Sequence, residues 1–226
     1  MRVGVLFSGG KDSCLALHKS MSFHDVVCLI SLISENQESY MFHVPNIEVT
    51  GKQAEAIGLP LVQRRTKGKK EKELEDLKKA IGTAKADFGV EGIVTGAVKS
   101  IYQSTRVQRI CRQLDVWCFN PLWLKDEIEL LNDVVKSEYE VIISGVFAFP
   151  LDKKFLGMKL DRGMIQRLER LKEEYGLSPA GEGGEIETTV TDAPFFKKRV
   201  EILGYDVSYK DYSGVFRIKD VRLINK

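Results

Sequence analysis

The chain has 226 residues, 43% of them apolar, and 34 Lys+Arg against 32 Asp+Glu leave a net charge of +2. That apolar content excludes a disordered polymer, and near-neutrality excludes a polycation that coats nucleic acid, so any basic site is local. No apolar run reaches the ~18 residues of a membrane span. The N-terminus enters a strand without a signal-peptide pattern, which points to a cytoplasmic protein. Cys14, Cys28, Cys111 and Cys118 form no CxxC pair. They read as free thiols, buried in a reducing compartment, and not as a zinc site.

The first half alternates strand and helix signals. Arg2 to Phe7 is an apolar run, followed by Gly9-Gly10 and a helical stripe of Cys14, Leu17 and Met21. Asp25 to Ile33 predicts a strand that is apolar on both faces, as central parallel strands are. Thr50 to Ile57 predicts a short helix, with Thr50 and Gln53 as a capping box and Gly58 as its stop. Leu59 to Arg64 predicts a third strand. Leu74, Leu77, Ile81 and Ala84 stripe a longer helix. Gly92 to Thr95 and Val116 to Phe119 predict two more strands, with a helix marked by Val107, Ile110, Cys111 and Leu114 between them. This alternation predicts a parallel sheet covered on both faces.

The pattern changes after Leu124. Asp126 and Glu129 form a capping pair before a helix, Glu140 to Ser144 reads as a strand, and a helix striped by Met164, Leu168 and Leu171 ends at Gly176. Period-2 segments at Tyr205–Tyr209 and Phe216–Ile218 flank Asp211-Tyr212-Ser213-Gly214, which reads as a hairpin loop. The expected architecture is therefore an α/β nucleotide domain over residues 1–125 and a smaller α+β domain over 126–226. The boundary falls between residues 124 and 150.

The densest signal is Ser8-Gly9-Gly10-Lys11-Asp12-Ser13, placed after the first strand and opening a helix. A helix N-terminus presents unpaired N–H groups and the positive end of the macrodipole. Two glycines allow close approach of an anion. The two hydroxyls and Lys11 add donors. Asp12 beside a phosphate makes sense if Mg²⁺ bridges its carboxylate to the phosphate oxygens. The loop is neither GxxxxGK[ST] nor GxGxxG. It resembles the SGGxDS loop of the ATP pyrophosphatases, which hold the pyrophosphate portion of ATP and leave the α-phosphate open to attack.

Three further segments select among those enzymes. They are Glu35 to His43 (ENQESYMFH), Gly96 to Arg106 (GAVKSIYQSTR) and Ala180 to Phe196 (AGEGGEIETTVTDAPFF). Together with the loop, over essentially the whole chain, they resemble the diphthine–ammonia ligase family. One departure is Ile186, where the family commonly carries Tyr. The resemblance implies a Rossmann-like fold of the adenine nucleotide alpha hydrolase type. It also implies a reaction, in which ATP activates the carboxylate of diphthine on translation elongation factor 2. Ammonium then gives the amide, with release of AMP and pyrophosphate.

On that resemblance, Ser8, Gly9, Gly10, Lys11, Asp12, Ser13, Gly96 and Lys99 are expected at the nucleotide. Lys11, Asp12 and Arg106 are expected in catalysis, with Asp12 on the metal. Arg106, or Lys99, is the candidate for the α-phosphate, because ligands of open α/β sheets lie beyond the carboxyl ends of the strands. His43, Tyr102, Glu182, Glu185, Glu187 and Thr188 are the candidates for the substrate. Glu185 and Glu187 are expected on one side of an extended strand, facing the fixed trimethylammonium charge of diphthine, which offers no N–H donors. Glu182 or Glu185 is the alternative group to guide or deprotonate ammonium.

Other signals are blander. His18 and His24 read as structural, and Trp117 and Trp123 as core. Arg64 to Lys72 is a local basic run. Lys153, Lys154, Lys159 and Arg162, interleaved with Phe155, Leu156 and Met158, form a candidate protein-facing surface. Two competing functions remain at this stage, a tRNA-modifying ATP pyrophosphatase and a non-catalytic ATP sensor. The absence of CxxC and the neutral charge weigh against tRNA. A homo-oligomer is compatible with the sequence.

Overall fold

The computed structural model describes residues 1–35, 45–68 and 72–226. His43, most of the segment before it, Lys69 and Lys70 lie outside the described residues. The chain runs β1 (Arg2–Leu6), α1 (Lys11–Met21), β2 (Asp25–Ser34), α2 (Thr50–Ile57), β3 (Leu61–Thr66), α3 (Lys72–Phe88), β4 (Gly92–Val94), α4 (Ile101–Gln113) and β5 (Trp117–Phe119). These five strands form a parallel sheet in the order β3-β2-β1-β4-β5. This is the Rossmann-like α/β sheet that the alternation predicts. The chain winds outward from β1 to β3 and returns to β4 on the other side of β1. The crevice beyond the carboxyl ends of β1 and β4 is thus the topological switch point, where such folds bind ligands.

Apolar stripes fix the layers. On one face, Leu77, Ile81 and Ala84 of α3 and Ile110 and Cys111 of α4 pack on Ile30 and Ile93. On the other, Leu17 of α1 and Ala54 and Ile57 of α2 pack with Val5. That second core does not stop at the sheet: it runs on into Ile143, Leu168 and Val190 of the second half of the chain. The two halves therefore share buried surface.

The second half comprises α5 (Glu127–Lys136), β6 (Glu140–Val146), α6 (Arg162–Tyr175), β7 (Ile186–Asp192), β8 (Lys198–Lys210) and β9 (Ser213–Asn225). Its four strands form an antiparallel sheet in the order β7-β6-β9-β8. Helix punctuation follows the sequence. Gly58 ends α2 at φ 81° and Gly176 ends α6 at φ 69°, both in the left-handed region that glycine adopts without penalty. Asp126 caps α5 by accepting from the N–H groups of Ile128 (2.9 Å) and Glu129 (3.0 Å). No described helix is long and apolar enough to cross a membrane.

Three expectations are corrected. Thr50 and Gln53 do not form a capping box: α2 continues from a 3-10 turn at Ile47–Val49, and the Thr50 hydroxyl donates to Ile47 O at 2.6 Å. The tail hairpin closes on a two-residue turn, Asp211-Tyr212, both at positive φ, since Lys210 already pairs with Ser213. Trp117 is 65% exposed and Trp123 37%, so neither is core. Trp117 lies on β5, the edge strand of its sheet, where one flank has no neighbouring strand.

The four cysteines are free, and three are buried. Burial pushes the Cys28 thiol up to about 11. His18 shares a 2.9 Å hydrogen bond with the Tyr139 hydroxyl, and the His24 ring lies against Phe119. Phe155 in the proposed protein-facing stretch is buried, with the Arg167 guanidinium over its ring, while Met158 is exposed.

Candidate functional site

Strand β1 ends at Leu6 and α1 begins at Lys11, so Phe7 to Gly10 turn the chain at the crevice. Gly10 is the N-cap of α1, in extended conformation, and brings no side chain of its own to cap it. Gly9 has φ 77°, and a Cβ there would strike the Gln53 side chain. The serines fold back on the loop: Ser8 Oγ lies 3.2 Å from Ser13 Oγ, and Ser13 Oγ donates to Gly10 O at 3.0 Å.

Strand β7 from the second half holds this loop in place. Val190 N donates to Gly9 O at 2.9 Å, and Lys11 N donates to Thr188 Oγ1 at 3.1 Å. Gln53, fully buried on α2, donates through Nε2 to both Gly9 O (2.9 Å) and Val190 O (2.7 Å). From the opposite side comes Gly96, after β4. A Cβ at Gly96 would sit 2.9 Å from the Asp12 carbonyl carbon and the Ser13 nitrogen, so only glycine allows this approach.

A cleft of ≈ 290 Å³ opens there, at the small end of the ~300–1,000 Å³ usual for ligand sites. Part of its lining is apolar, from Leu6, Ile30, Leu32, Leu77 and Val107. Another part is charged, from Lys11, Asp12, Glu182 and Glu187. Lys11 is 3% exposed, and its ammonium donates to Asp12 Oδ2 at 2.9 Å and to Ala180 O at 2.6 Å. Burial alone lowers a lysine pKa, but Asp12, Glu182 and Glu187 together outweigh it and hold Lys11 above its ordinary value. Asp12 Oδ1 is buried with no partner.

The carboxylates opposite are poised differently. Burial pushes Glu187 up to about 7, with Lys11 pulling it down and Asp12 and Glu182 adding to the rise. Burial, then Asp12, also raises Glu182. Glu182 Oε2 accepts from Lys99 N at 3.2 Å.

The expected residues divide accordingly. Ser8, Lys11, Asp12, Ser13, Gly96, Glu182 and Glu187 line the cleft. Glu185 does not pair with Glu187 on one face. It lies before β7 begins, and its carboxylate closes its own loop by accepting from Gly183 N (2.9 Å) and Ser178 N (3.3 Å). Thr188 turns its hydroxyl to the backbone of the Ser8–Ser13 loop, accepting from Lys11 N. Lys99 reaches Glu127 at 2.6 Å, and the Arg106 guanidinium stacks 3.5 Å from the centre of the Tyr102 ring; neither cation lines the cleft.

The sequence reading missed Gln53 and Glu127. Glu127 is 7% exposed and joins Lys99 to the Ser178 hydroxyl (2.8 Å). The bonds to Lys99 and Ser178 outweigh the effect of burial and keep it below the usual carboxylate range. The one signal for Gln53 was an amide beside the apolar positions of α2, Ala54 and Ile57.

Family models match both halves of the chain: the diphthamide synthase N-terminal domain over residues 1–117 and the diphthamide synthase C-terminal domain over 126–224. A diphthine–ammonia ligase from Bos taurus is 37% identical over 220 residues, 88% of this chain and 82% of the relative. The Homo sapiens enzyme of that name is 36% identical with the same coverage. The Schizosaccharomyces pombe enzyme is 37% identical over 92% of this chain, which spans only 37% of that longer protein. Among solved structures, a predicted subunit of tRNA methyltransferase from Methanocaldococcus jannaschii aligns over 86% of this chain and 98% of its own, at 19% identity and a TM-score of 0.44, too loose a likeness to carry an argument.

Proposed function

The chain belongs to the diphthine–ammonia ligase family of ATP-dependent ligases, and we propose that it amidates diphthine on translation elongation factor 2 through an acyl adenylate. The observation that carries this reading is a cleft that joins apolar, basic and acidic linings. Its apolar residues suit an adenine base, Lys11 suits phosphates, and Glu182 and Glu187 suit a cation. A carboxylate is a poor acylating agent because oxide leaves badly. Its oxygen would attack the α-phosphorus of ATP while the bond to pyrophosphate breaks. Ammonia would then attack the acyl carbon, and AMP would leave with the bonding pair.

Most of the help such a reaction needs is positioning and charge stabilisation. Lys11 and the positive N-terminus of α1 would hold the phosphates. Arg106 would join them by exchanging the Tyr102 ring for the nucleotide, with Lys99 as the alternative. The orphaned Asp12 Oδ1 fits a Mg²⁺ held by one carboxylate and substrate phosphates, since that ion commonly takes few protein ligands. The ion would offset phosphate charge. Glu187 and Glu182 would face the trimethylammonium group and the entering ammonium. Glu185 would shape their loop.

The test combines the protein with ATP, ammonium and diphthine-bearing elongation factor 2, reading AMP, pyrophosphate and the mass of the modified histidine. The expected result is AMP release matched by conversion of the carboxylate to an amide. An unchanged mass under saturating ATP would overturn the reading. AMP without amidation would move it to a tRNA base or another carboxylate, and no turnover at all to a sensor.

A further inference from the structure

The end of the second sheet that carries the acidic loop also carries aromatic side chains with no part in this chemistry. Phe149 follows β6, Tyr175 is the last residue of α6, and Tyr212 lies in the β8–β9 turn. Phe149 stands between the other two: its ring meets Tyr175 edge-on at 5.3 Å and Tyr212 edge-on at 5.0 Å. All remain about half exposed, at 55%, 50% and 45% respectively. Single exposed apolar residues are ordinary. Three rings from three elements, touching one another and still open to water, form a contiguous patch of the kind found at interaction sites. Tyr and Phe are also among the residues enriched there.

The register places this patch beside the cleft. Val146, the last residue of β6, pairs with Ile186 of β7 on one side and Gly214 of β9 on the other. Phe147 N donates to Glu185 O at 2.8 Å. The segments that launch Phe149 and Tyr212 therefore leave the sheet next to the start of β7. Tyr175 precedes Ser178, whose hydroxyl accepts from Glu182 N at 2.8 Å. With strands ~4.8 Å apart, β9 lies about 10 Å from β7.

We infer that Phe149, Tyr175 and Tyr212 form a docking surface for the polypeptide that carries the modified histidine. The inference rests on the proposed function, in which the reacting carboxylate is attached to a protein. Such a side chain enters the cleft while its own backbone stops at the mouth, so the enzyme needs a contact just outside. At ~3.3 Å per extended residue, a peptide running from the start of β7 across to β9 would need three or four residues. The patch would thus receive an apolar or aromatic side chain within about four residues of the modified one. Edge-to-face rings present both an edge and a face for it to pack on.

The test measures amidation kinetics against elongation factor 2 concentration for Phe149→Ala and Tyr212→Ala, with Tyr212→Phe as the conservative variant. Both alanine variants should raise KM for the protein substrate by about tenfold or more, as interface anchors do. Their kcat and KM for ATP should stay within about twofold, and Tyr212→Phe should restore the wild-type KM. Protein KM unchanged in both alanine variants, while wild type amidates normally, overturns the docking surface and leaves the proposed function intact. A fall in kcat or thermal stability that accounts for the whole loss also overturns it, by assigning the rings to structure. Failure of wild type itself to amidate removes the proposed function and this inference with it.

Discussion

The two loops that face each other across the cleft are built in opposite ways. The Ser8–Ser13 loop is held from outside: Val190, Thr188 and Gln53 all bond to its backbone. The Gly181–Glu187 loop is held mainly by near neighbours, the Glu185 carboxylate on Gly183 N and Gly184 N on Gly181 O, with Phe147 N and Lys99 N reaching it from outside. The first arrangement ties the Ser8–Ser13 loop to strand β7, which also carries Glu187, so one strand positions both. Glu182 accepts one backbone N–H and Lys11 pulls on both carboxylates, yet burial outweighs these and raises both. One loop supplies fixed geometry and the other supplies charge in an adjustable state.

The sharpest break of this contrast removes Lys11, a cation that the two loops share. Lys11 balances Asp12 on its own loop and pulls against the rise of Glu187 on the other. Lys11→Met should lower AMP formation at saturating ATP by about 10²–10³, the scale of losing a preorganised donor at a charged transition state. A steady-state rate within threefold of wild type would show that Lys11 is structural.

Glu187→Gln tests the adjustable side. Its carboxyl sits near 7 in the fold, against an ordinary value of 4.5. Below the ordinary value both folded and unfolded chains hold the proton, and Glu187 costs nothing. Between 4.5 and about 7 the unfolded chain ionises first, so the native state loses stability as pH rises. The variant should therefore match wild type near pH 4 and gain about 1–2 kcal/mol by pH 8, after allowance for solvent at the cleft mouth. That corresponds to a melting shift of about 2–8 °C. ATP affinity should hold while amide formation falls. A melting difference independent of pH would place the Glu187 proton elsewhere.

Gln53→Ala tests the fixed side. Val190 O and Gly9 O would each lose the Gln53 amide in a fully buried setting, while Gly9 O keeps the Val190 N–H. Urea unfolding should show a loss of about 1–3 kcal/mol, the scale of removing one partner of a buried hydrogen bond. KM for ATP should rise as the loop loosens, whereas Glu187→Gln should leave it unchanged. Equal effects of the two variants on ATP would erase the contrast between the loops.

The sequence made the helices and strands readable wherever punctuation was local. Gly58 and Gly176 stop α2 and α6 where expected, and β2 shows the doubly apolar run of a central strand. What stayed hidden depends on residues far away in the chain. Gln53 looked like half of a capping box, yet its amide bonds a carbonyl 137 positions on. Trp117 looked like core because its strand is apolar, and only the strand order reveals that β5 is an edge. Alternation suggested that Glu185 and Glu187 share a face, but the glycine turn before β7 gives Glu185 two nearer N–H groups. The Ser8–Ser13 loop was legible as a strand-to-helix turn at the cleft because its residues are six in a row. Glu182 and Glu187 were legible as cleft residues, while the separate place of Glu185 was not.

The smallest expected effect separates fold from site. Asp161 caps α6 by accepting from Met164 N at 2.8 Å, at the end of the helix away from Tyr175 and the cleft. Asp161→Ala removes that bond and leaves an N–H of the first turn to water, which costs about 1 kcal/mol. Because Met164, Ile165 and Leu168 keep α6 seated in the shared core, the loss should appear as a melting decrease of about 2–4 °C. The rate of AMP formation and both KM values should not move. If Asp161→Ala instead raised KM for the protein substrate, the far end of α6 would be mobile enough to carry Tyr175 with it. The aromatic patch would then owe its position to helix capping as much as to the sheet.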